Sequence, residues 1–593
     1  MSYLSDASLV MIPSGVEAGT VFTSKPAGGS ADLTFTRSND TATRVGPNGY
    51  IEKVRTNAVL HSEDQSNAAY NVIKQNITSI TSESNPLTGT NNAYKVLCNG
   101  SADPYVGQQV YGLSNGENTF SCWLWTDSGE STEASLFFYN AATTEIFSET
   151  LTITTTPTRY SIIADFTSIG ALAVCRIDLR NASGSPTYLY TYGWQAEVGS
   201  VATDYIPTTT AAVSVGPVAN VPRISFDPVL PRTGSLLLEP QRTNLITYSE
   251  QLDNASWTKN VSTITANNAT SPDGYQNADL LSEATFTNDS ASAYQTLSVT
   301  ASVPYTTSVF LKQGAGRYAF IRNYYLAGGH YYTVVIDLQT GTITQATAGG
   351  SVSGASSTIT AYGNGWYRVT ATQTSSQTSL LPIFGISDVA TPTIGGFGQI
   401  TVSSNDGRTI LLYGCMTEAG SYATSYIPTY SAAVTRGDDT ASKTGISSLI
   451  GQTEGTLFFE YIPNVVSSSI SQDWVPIGIS DGTSANSIYM NDYNDSLYFV
   501  IQTGGVIQMN YTYPNLIANN TYKIAIGYAN NDAVVYINGT QVNADTSVSV
   551  PSMSKISLNS FTSLIHIGSI TVNKILLFQT RLTNDQLSQI TTL

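Results

Sequence analysis

The stretch from Tyr413 to Arg436, YGCMTEAGSYATSYIPTYSAAVTR, is a second statement of Tyr192 to Val215, YGWQAEVGSVATDYIPTTTAAVSV. Tyr, Gly, Glu, Gly-Ser, Ala-Thr, Tyr-Ile-Pro-Thr and Ala-Ala-Val recur in register, so the phrase closes a duplicated module. The opening of the module is doubled too. Arg55-Thr56-Asn57, Ser62-Glu63, Asn67-Ala68 and Tyr70 match Arg242-Thr243-Asn244, Ser249-Glu250, Asn254-Ala255 and Trp257 at an offset of 187 positions. Ser121, Trp123 and Leu124 keep that offset against Ser308, Phe310 and Leu311. The closing phrase is offset by 221, so the second copy carries 34 additional residues between its middle and its end. Gly328-Gly329 and the Gly/Ser/Thr-rich run from Gly341 to Thr360 are the places expected to hold them.

A chain of 593 residues is too long for one domain, and three or four are expected. Only 11% of residues are charged, and Ser, Thr, Asn, Gly and Tyr take their place. Many β-branched and aromatic residues with so little charge argue against disorder and for all-β modules. A net charge of −17 with no Lys/Arg-rich run argues against a nucleic-acid partner. No run approaches the roughly 20 apolar residues of a membrane span, so membrane insertion is not expected. The N-terminus has no basic start and no apolar core of signal length. The expectation is a protein made and assembled in a cytoplasm. The four cysteines, at 98, 122, 175 and 415, lack metal or redox spacing. Cys122 stands where the other copy has Val309, and Cys415 where it has Trp194. They read as core thiols, with a disulfide inside the first module as the alternative.

Taken in order, residues 1–52 read as an N-terminal arm. LTFTRSNDTATRV (33–45) alternates apolar and polar residues and turns at Gly46-Pro47-Asn48-Gly49. Thr36-Arg37 and Asp40-Thr41-Ala42 match Thr435-Arg436 and Asp439-Thr440-Ala441. The arm either completes a sheet in the next module or docks the protein elsewhere. Residues 53–215 form the first module, whose short strands separated by Asn, Gly, Ser and Pro turns predict a β-sandwich. Residues 216–238, with Pro217, Pro222, Pro228 and Pro231, read as a semi-rigid linker. Residues 239–436 are the second module with its insertion. Residues 437–593 differ. Strands are expected at Gly455–Tyr461, Ser496–Ile501, Tyr522–Tyr528 and Ala533–Ile537. Asn538-Gly539 is a hairpin signal, and Thr583-Asn-Asp-Gln586 is a capping box opening a short C-terminal helix.

The last domain resembles the concanavalin A-like (laminin G-type) lectin/glucanase fold through YKIAIGY (522–528), VYING (535–539) and ILLFQTRLTNDQL (575–587). The remainder resembles modular virion proteins of tailed bacteriophages, of fibre, spike and decoration type. TFTRSNDTATRV (34–45), NVPR (220–223), LLLEPQRTNL (236–245) and the Tyr-Ile-Pro-Thr phrase carry that likeness. The fold class expected is therefore all-β, with tandem jelly-roll sandwiches resembling carbohydrate-binding modules plus a concanavalin A-like sandwich. The resemblance implies a virion surface protein, docked by its N-terminal arm to other virion proteins and displayed as a homotrimer.

A glucanase of that fold needs paired carboxylates on one strand. The last domain has only Glu460, in Phe-Phe-Glu-Tyr, which reads as structural. Glu130 and Glu133 read as solvated turn residues. His61, His330 and His566 form no metal or catalytic spacing. No enzyme is expected. Sugar binding asks less: aromatics to stack on sugar faces and Asn, Asp or Gln to hold hydroxyls. Candidates in the last domain are Trp474, Tyr489, Asp492 and Tyr493, beside Asp473 and Asp481. In the second module they are Tyr324, Tyr325 and Tyr331, with His330. Against this, 36 tyrosines make Tyr a general packing residue here. Asn491 to Asp495 could offer oxygen ligands to Ca²⁺, but no spaced calcium loop is visible and a solvated turn is the favoured reading of that stretch. No other cofactor and no metal site is expected.

Three readings of function follow. The first is a phage fibre, spike or head fibre that adheres to host-surface polysaccharide. The second is a capsid decoration or head fibre with a purely structural role. The third is a polysaccharide-degrading tail enzyme, which the missing carboxylate pair disfavours. A bacterial adhesin is a weaker fourth, disfavoured by the lack of a signal peptide.

Overall fold

The computed structural model describes the chain except for residues 1–2, 14, 16, 71–72, 129–132, 141–144, 171, 180–187, 231–233, 467–472, 562–566 and 593. The described chain is all-β and builds three two-sheet sandwiches in which every ladder is antiparallel. In the first sandwich, one sheet orders Ile146–Thr152, Glu133–Asn140, Ala173–Asp178, Tyr105–Val110 and Ile73–Gln75. The facing sheet orders Thr158–Phe166, Gly116–Trp125, Tyr188–Val198, Ala93–Cys98 and Ile77–Glu83. The period-two pattern decides which residues meet between them. In Glu133–Asn140, Ala134, Leu136 and Phe138 are fully buried while Ser135, Phe137 and Tyr139 face out. Cys122 and Cys175 lie in this core as free thiols, and Cys415 occupies the second core.

The second sandwich repeats this plan with longer sheets. The additional residues between Gly341 and Thr360 make one hairpin whose two arms part company. Thr342–Gly349 adds an edge strand beside His330–Asp337, and Ser353–Ala361 adds one beside Trp366–Thr374 in the opposite sheet. The insertion thus widens both layers without disturbing the core.

The doubled phrases are explained by one repeated clamp. In the first module, Asn57 Nδ2 donates to the carbonyls of Trp194 and Ile206, and its Oδ1 accepts from the N–H of Val59 and Ala196. In the second, Asn244 Nδ2 donates to Cys415 and Ile427, and its Oδ1 accepts from Ile246 and Thr417. Ser62 and Tyr205 share a 2.6 Å hydroxyl contact, as do Ser249 and Tyr426. Glu197 takes the N–H and hydroxyl of Thr203 as Glu418 takes those of Thr424. The Tyr-Ile-Pro-Thr segment leaves the sheet because Pro cannot donate to a ladder. The buried Asn, Ser and Glu then satisfy the backbone groups that the departure would strand.

The third sandwich corrects the expected layout of the ends. One of its sheets orders Arg223–Ser225, Ser235–Leu238, Ile570–Phe578, Glu454–Pro463, Tyr522–Ala529, Asp532–Ile537 and Thr540–Asp545, with Leu9–Met11 also paired to Ile570–Phe578. The other orders Thr20–Val21, Leu33–Thr36, Thr440–Thr444, Lys555–Leu558, Trp474–Ser480, Ser487–Tyr493, Ser496–Thr503 and Val506–Tyr513. Residues 1–52 are therefore not a free docking arm, and residues 216–238 are not simply a spacer. Both supply strands to the sandwich that also holds residues 437–593. The reason is burial: Leu9, Met11, Leu33, Phe35, Leu236 and Leu238 are at most 1% exposed and share its core with Phe459, Ile477 and Leu577. Pro217, Pro222 and Pro228 fall in the turns between strands, and Pro231 lies outside the described residues. Local chemistry at the far end is as expected. Asn538 and Gly539 take φ of 49° and 84° in a two-residue hairpin turn, and Thr583 with Gln586 caps the helix Asn584–Thr591.

A buried ionic network joins the pieces. Arg37 Nη1 lies 3.0 Å from Asp439 Oδ1, Arg223 Nη1 2.7 Å from Glu239 Oε2, and Arg436 Nη1 2.8 Å from the same Glu239 oxygen. Arg223 also donates to Asp439. The three guanidiniums then reach carbonyls of Pro217, Val218, Val221, Thr43 and Pro240. Burial works to raise the Glu239 carboxyl, yet Arg436 and Arg223 hold it well below the usual carboxylate range.

Candidate functional site

Alternation along Tyr318–Tyr325 separates the two neighbouring tyrosines. Tyr325 turns inward and joins the second core at 1% exposure, whereas Tyr324 faces out beside Arg322. Adjacent residues of one strand cannot both line one face, so Tyr325 is corrected to a core residue. Tyr331 pairs with Tyr324 in register and shares its face. It is nonetheless buried, because Gly398 and Gly349 lie so close that a Cβ on either would meet its ring at 2.2–2.3 Å. The loop that carries Gly398 is tied down by Thr333 Oγ1 donating to the Gly398 carbonyl at 2.7 Å. Tyr331 is therefore support rather than contact surface. His330 is also buried, with Nδ1 2.8 Å from Ser375 Oγ.

Around Tyr324 the outer sheet face forms a groove of about 420 Å³. Tyr294, Arg322 and Tyr324 stand on its floor, and Gln399 and Thr401 come from the loop. Asn260, Asp289 and Ser292 form the opposite side. The Arg322 guanidinium sits 4.5 Å from the Tyr324 ring centroid, and Phe397, half exposed at the rim, meets the same ring edge-on at 6.3 Å. Asn260 Nδ2 donates to Asp289 Oδ1 at 3.0 Å, which orients both groups. Burial lowers the Arg322 pKa, and its Nε has no hydrogen-bond partner. Sequence reading missed Arg322, Tyr294, Phe397 and Gln399. Tyr294 and Gln399 lie on separate segments that only the sheet order brings together.

The first sandwich carries a related feature on its corresponding sheet. Arg176 lies 4.4 Å from the Phe137 ring centroid, 4.5 Å from Tyr105 and 5.8 Å from Tyr139, and is anchored to Asp178 at 3.0 Å. In both modules the arginine platform is on the sheet that lacks the closing clamp strand.

In the third sandwich the four candidates divide. Trp474 and Asp492 pair across adjacent strands and both point inward, fully buried. Trp474 packs so tightly on Gly568 that a Cβ there would lie 2.2 Å from its Nε1. They are corrected to interior residues. Tyr489 faces out but is stacked on Phe561 at 4.9 Å, and Tyr493 is half exposed at the hairpin tip, 6.1 Å from Tyr498. Asn494 and Asp495 form that tip with φ of 50° and 56°. The Asn491–Asp495 run is thus a hairpin whose side chains alternate between faces, so its oxygens do not converge as a Ca²⁺ shell requires. Among the described residues, no group of three or more His, Cys, Asp or Glu could hold a metal ion. Glu460 sits 3.6 Å from Lys574 on the neighbouring strand. Glu133 is half buried at a strand start, and Glu130 and His566 lie outside the described residues.

No family model matches the chain, and no curated protein matches it. Among solved structures, the chain aligns with the botulinum neurotoxin serotype D binding domain at 10% identity and TM-score 0.23, covering 26% of this chain and 40% of that one. With the serotype G binding domain the figures are 12%, 0.22, 26% and 39%. The chain thus spans about two fifths of those neighbours, and a superposition this partial carries no weight for function.

Proposed function

We propose that this is a non-enzymatic surface protein of a bacteriophage particle that adheres to host-surface polysaccharide. One observation carries the binding part: an open groove lined by Tyr294, Tyr324, Arg322, Asn260, Asp289 and Gln399, with the exposed Phe397 beside the Tyr324 ring. Aromatic faces stack on the apolar side of sugars, and the amides, carboxylate and guanidinium match hydroxyls. The guanidinium adds a preference for acidic sugars. The virion assignment rests on the sequence resemblance stated above. Homotrimeric display, implied by the same resemblance, would turn weak single sites into avidity. A structural role in the particle is the second reading, and the buried network that ties Arg37, Arg223 and Asp439 to Glu239 and Arg436 of the second module favours it.

The experiment is binding of the full chain, presented as trimers, to host capsular and lipopolysaccharide glycans. Tyr324→Ala and Phe397→Ala should each weaken binding about tenfold, equivalent to about 1.4 kcal/mol, with the thermal transition unchanged. No glycan binding by the trimerised wild-type chain would remove adhesion and leave the structural reading.

A further inference from the structure

Among the described residues, Lys53 is the one lysine whose ammonium is enclosed by two buried carboxyl groups. Its Nζ lies 2.7 Å from Glu250 Oε2 and 2.8 Å from Asp273 Oδ2, with all three side chains at most 9% exposed. Lys53 ends the strand Ile51–Lys53 ahead of the first sandwich, whereas Glu250 and Asp273 belong to the second. Every other polar atom of the trio is also occupied. Asp273 Oδ1 accepts from Ser271 Oγ at 2.6 Å and from the Tyr275 N–H at 3.0 Å. Asp273 Oδ2 accepts from Asn277 Nδ2 at 3.0 Å and Tyr413 Oη at 2.9 Å. Glu250 Oε1 accepts from the Tyr426 hydroxyl at 3.1 Å and lies 2.9 Å from Tyr413 Oη, whose single proton serves Glu250 or Asp273 in turn.

We propose that Lys53 and Asp273 condense spontaneously into an intramolecular isopeptide bond, with Glu250 as the proton carrier. The amine and the carboxyl are held in contact, which is the arrangement that gives intramolecular reactions their large effective molarity. Burial disfavours the charge on Lys53, but Asp273 and Glu250 outweigh it and hold the resting ammonium well above its ordinary value. Burial works to raise the Asp273 carboxyl, yet Lys53 holds it ionised at rest. Reaction therefore begins when Glu250 Oε2 takes one proton from Nζ and passes it to Asp273 Oδ2, leaving a neutral amine against a neutral carboxyl group. Nζ attacks Cγ of Asp273, and the C–N bond forms. The negative charge gathers on Oδ1, where the Ser271 hydroxyl and the Tyr275 N–H already donate, as electrostatic stabilisation of an oxyanion requires. The Cγ–Oδ2 bond then breaks. Oδ2 leaves as water, taking the two protons that Nζ gives up, and Glu250 returns to its starting form. An ammonium and a carboxylate become an amide and a water, so no oxidant, metal or external reagent is needed. The step also removes two opposite charges from a buried site, where their desolvation is costly. A cavity of about 290 Å³, lined by Lys53, Asp273, Arg55 and Tyr275, adjoins the bond and receives the water. The product would close residues 53–273 into a covalent loop around the first sandwich.

Intact-mass spectrometry of the denatured full chain tests this. The expected mass is one water below that of the sequence. Proteolysis should release a branched peptide joining Lys53 to Asp273. Lys53→Arg and Glu250→Gln should each appear at their full calculated mass, with Glu250→Gln retaining the β-sheet circular dichroism spectrum. A wild-type chain at full sequence mass overturns the proposal. So does a water loss that persists in Lys53→Arg or maps to other residues. The peptide map of the wild-type chain decides the matter even if a variant fails to fold.

Discussion

Arg37 and Asp439 are 402 positions apart, yet Arg37 Nη1 donates to Asp439 Oδ1 at 3.0 Å with both side chains fully buried. Beside them, Thr36 and Thr440 share a 2.7 Å hydroxyl contact across paired strands. The first tens of residues are thus locked to the start of the last region of the chain, through a network that also includes Arg223, Glu239 and Arg436.

Removing one partner of that network leaves buried charge without compensation. Arg37→Ala is expected to cost about 3–5 kcal/mol, read as a lower urea midpoint of the unfolding transition. An unchanged midpoint would show that the network adds nothing to stability.

The third sandwich should not form from its C-terminal residues alone. A 437–593 fragment lacks the strands Leu9–Met11, Leu33–Thr36 and Ser235–Leu238 and exposes the core they cover. It is expected to aggregate or to lose near-ultraviolet circular dichroism, the signature of missing side-chain packing. A monomeric fragment with sharp, dispersed NMR signals would contradict the shared-core architecture.

The two clamp asparagines should behave alike and independently. Asn57→Ala and Asn244→Ala each strand two buried N–H groups and two carbonyls, at roughly 1–3 kcal/mol for an orphaned group. Denaturation of the two single variants and the double variant should give additive losses. Strong coupling would mean that the two clamps interact energetically across the modules.

A pH response is expected at the contact between the first two sandwiches. Burial, followed by Asp253, Asp279 and Asp165, pushes Glu117 from 4.5 up to about 8, and burial pushes Asp279 from 3.8 up to about 7. The folded state therefore holds protons that the unfolded state releases. Stability is favoured below pH about 4 on this account and declines as pH rises toward 8, where the penalty is complete. Glu117→Gln should flatten the decline in melting temperature over that window. An equally steep decline in the variant would place the effect elsewhere.

Legibility in the sequence followed the range of the interaction. Duplication, all-β character, the Asn538-Gly539 turn and the Thr583 cap could be read directly, because hairpins and caps are set by neighbours within a few residues. The insertion could be located by offset, but its division between two sheets could not. Residue type alone does not separate Tyr324, on an outer face, from its aromatic neighbours Tyr325 and Tyr331, which are buried. Tyr325, Trp474 and Asp492 were misplaced because strand parity and sheet order, not residue type, decide which way a side chain faces.

By itself the sequence determined the repeated module, its strand-forming chemistry and the residues of its clamp, since these depend on local backbone preference and on a pattern stated twice. Only the tertiary structure decided that residues 1–52 and 216–238 complete the sandwich of residues 437–593, that Tyr294, Arg322, Tyr324 and Gln399 share one groove, and that Lys53 meets Asp273. The first and last of those pairings span hundreds of positions, and the groove joins separate strands and a loop. They are selected by burial of apolar strands and compensation of buried charge, neither of which leaves a periodic mark in the chain.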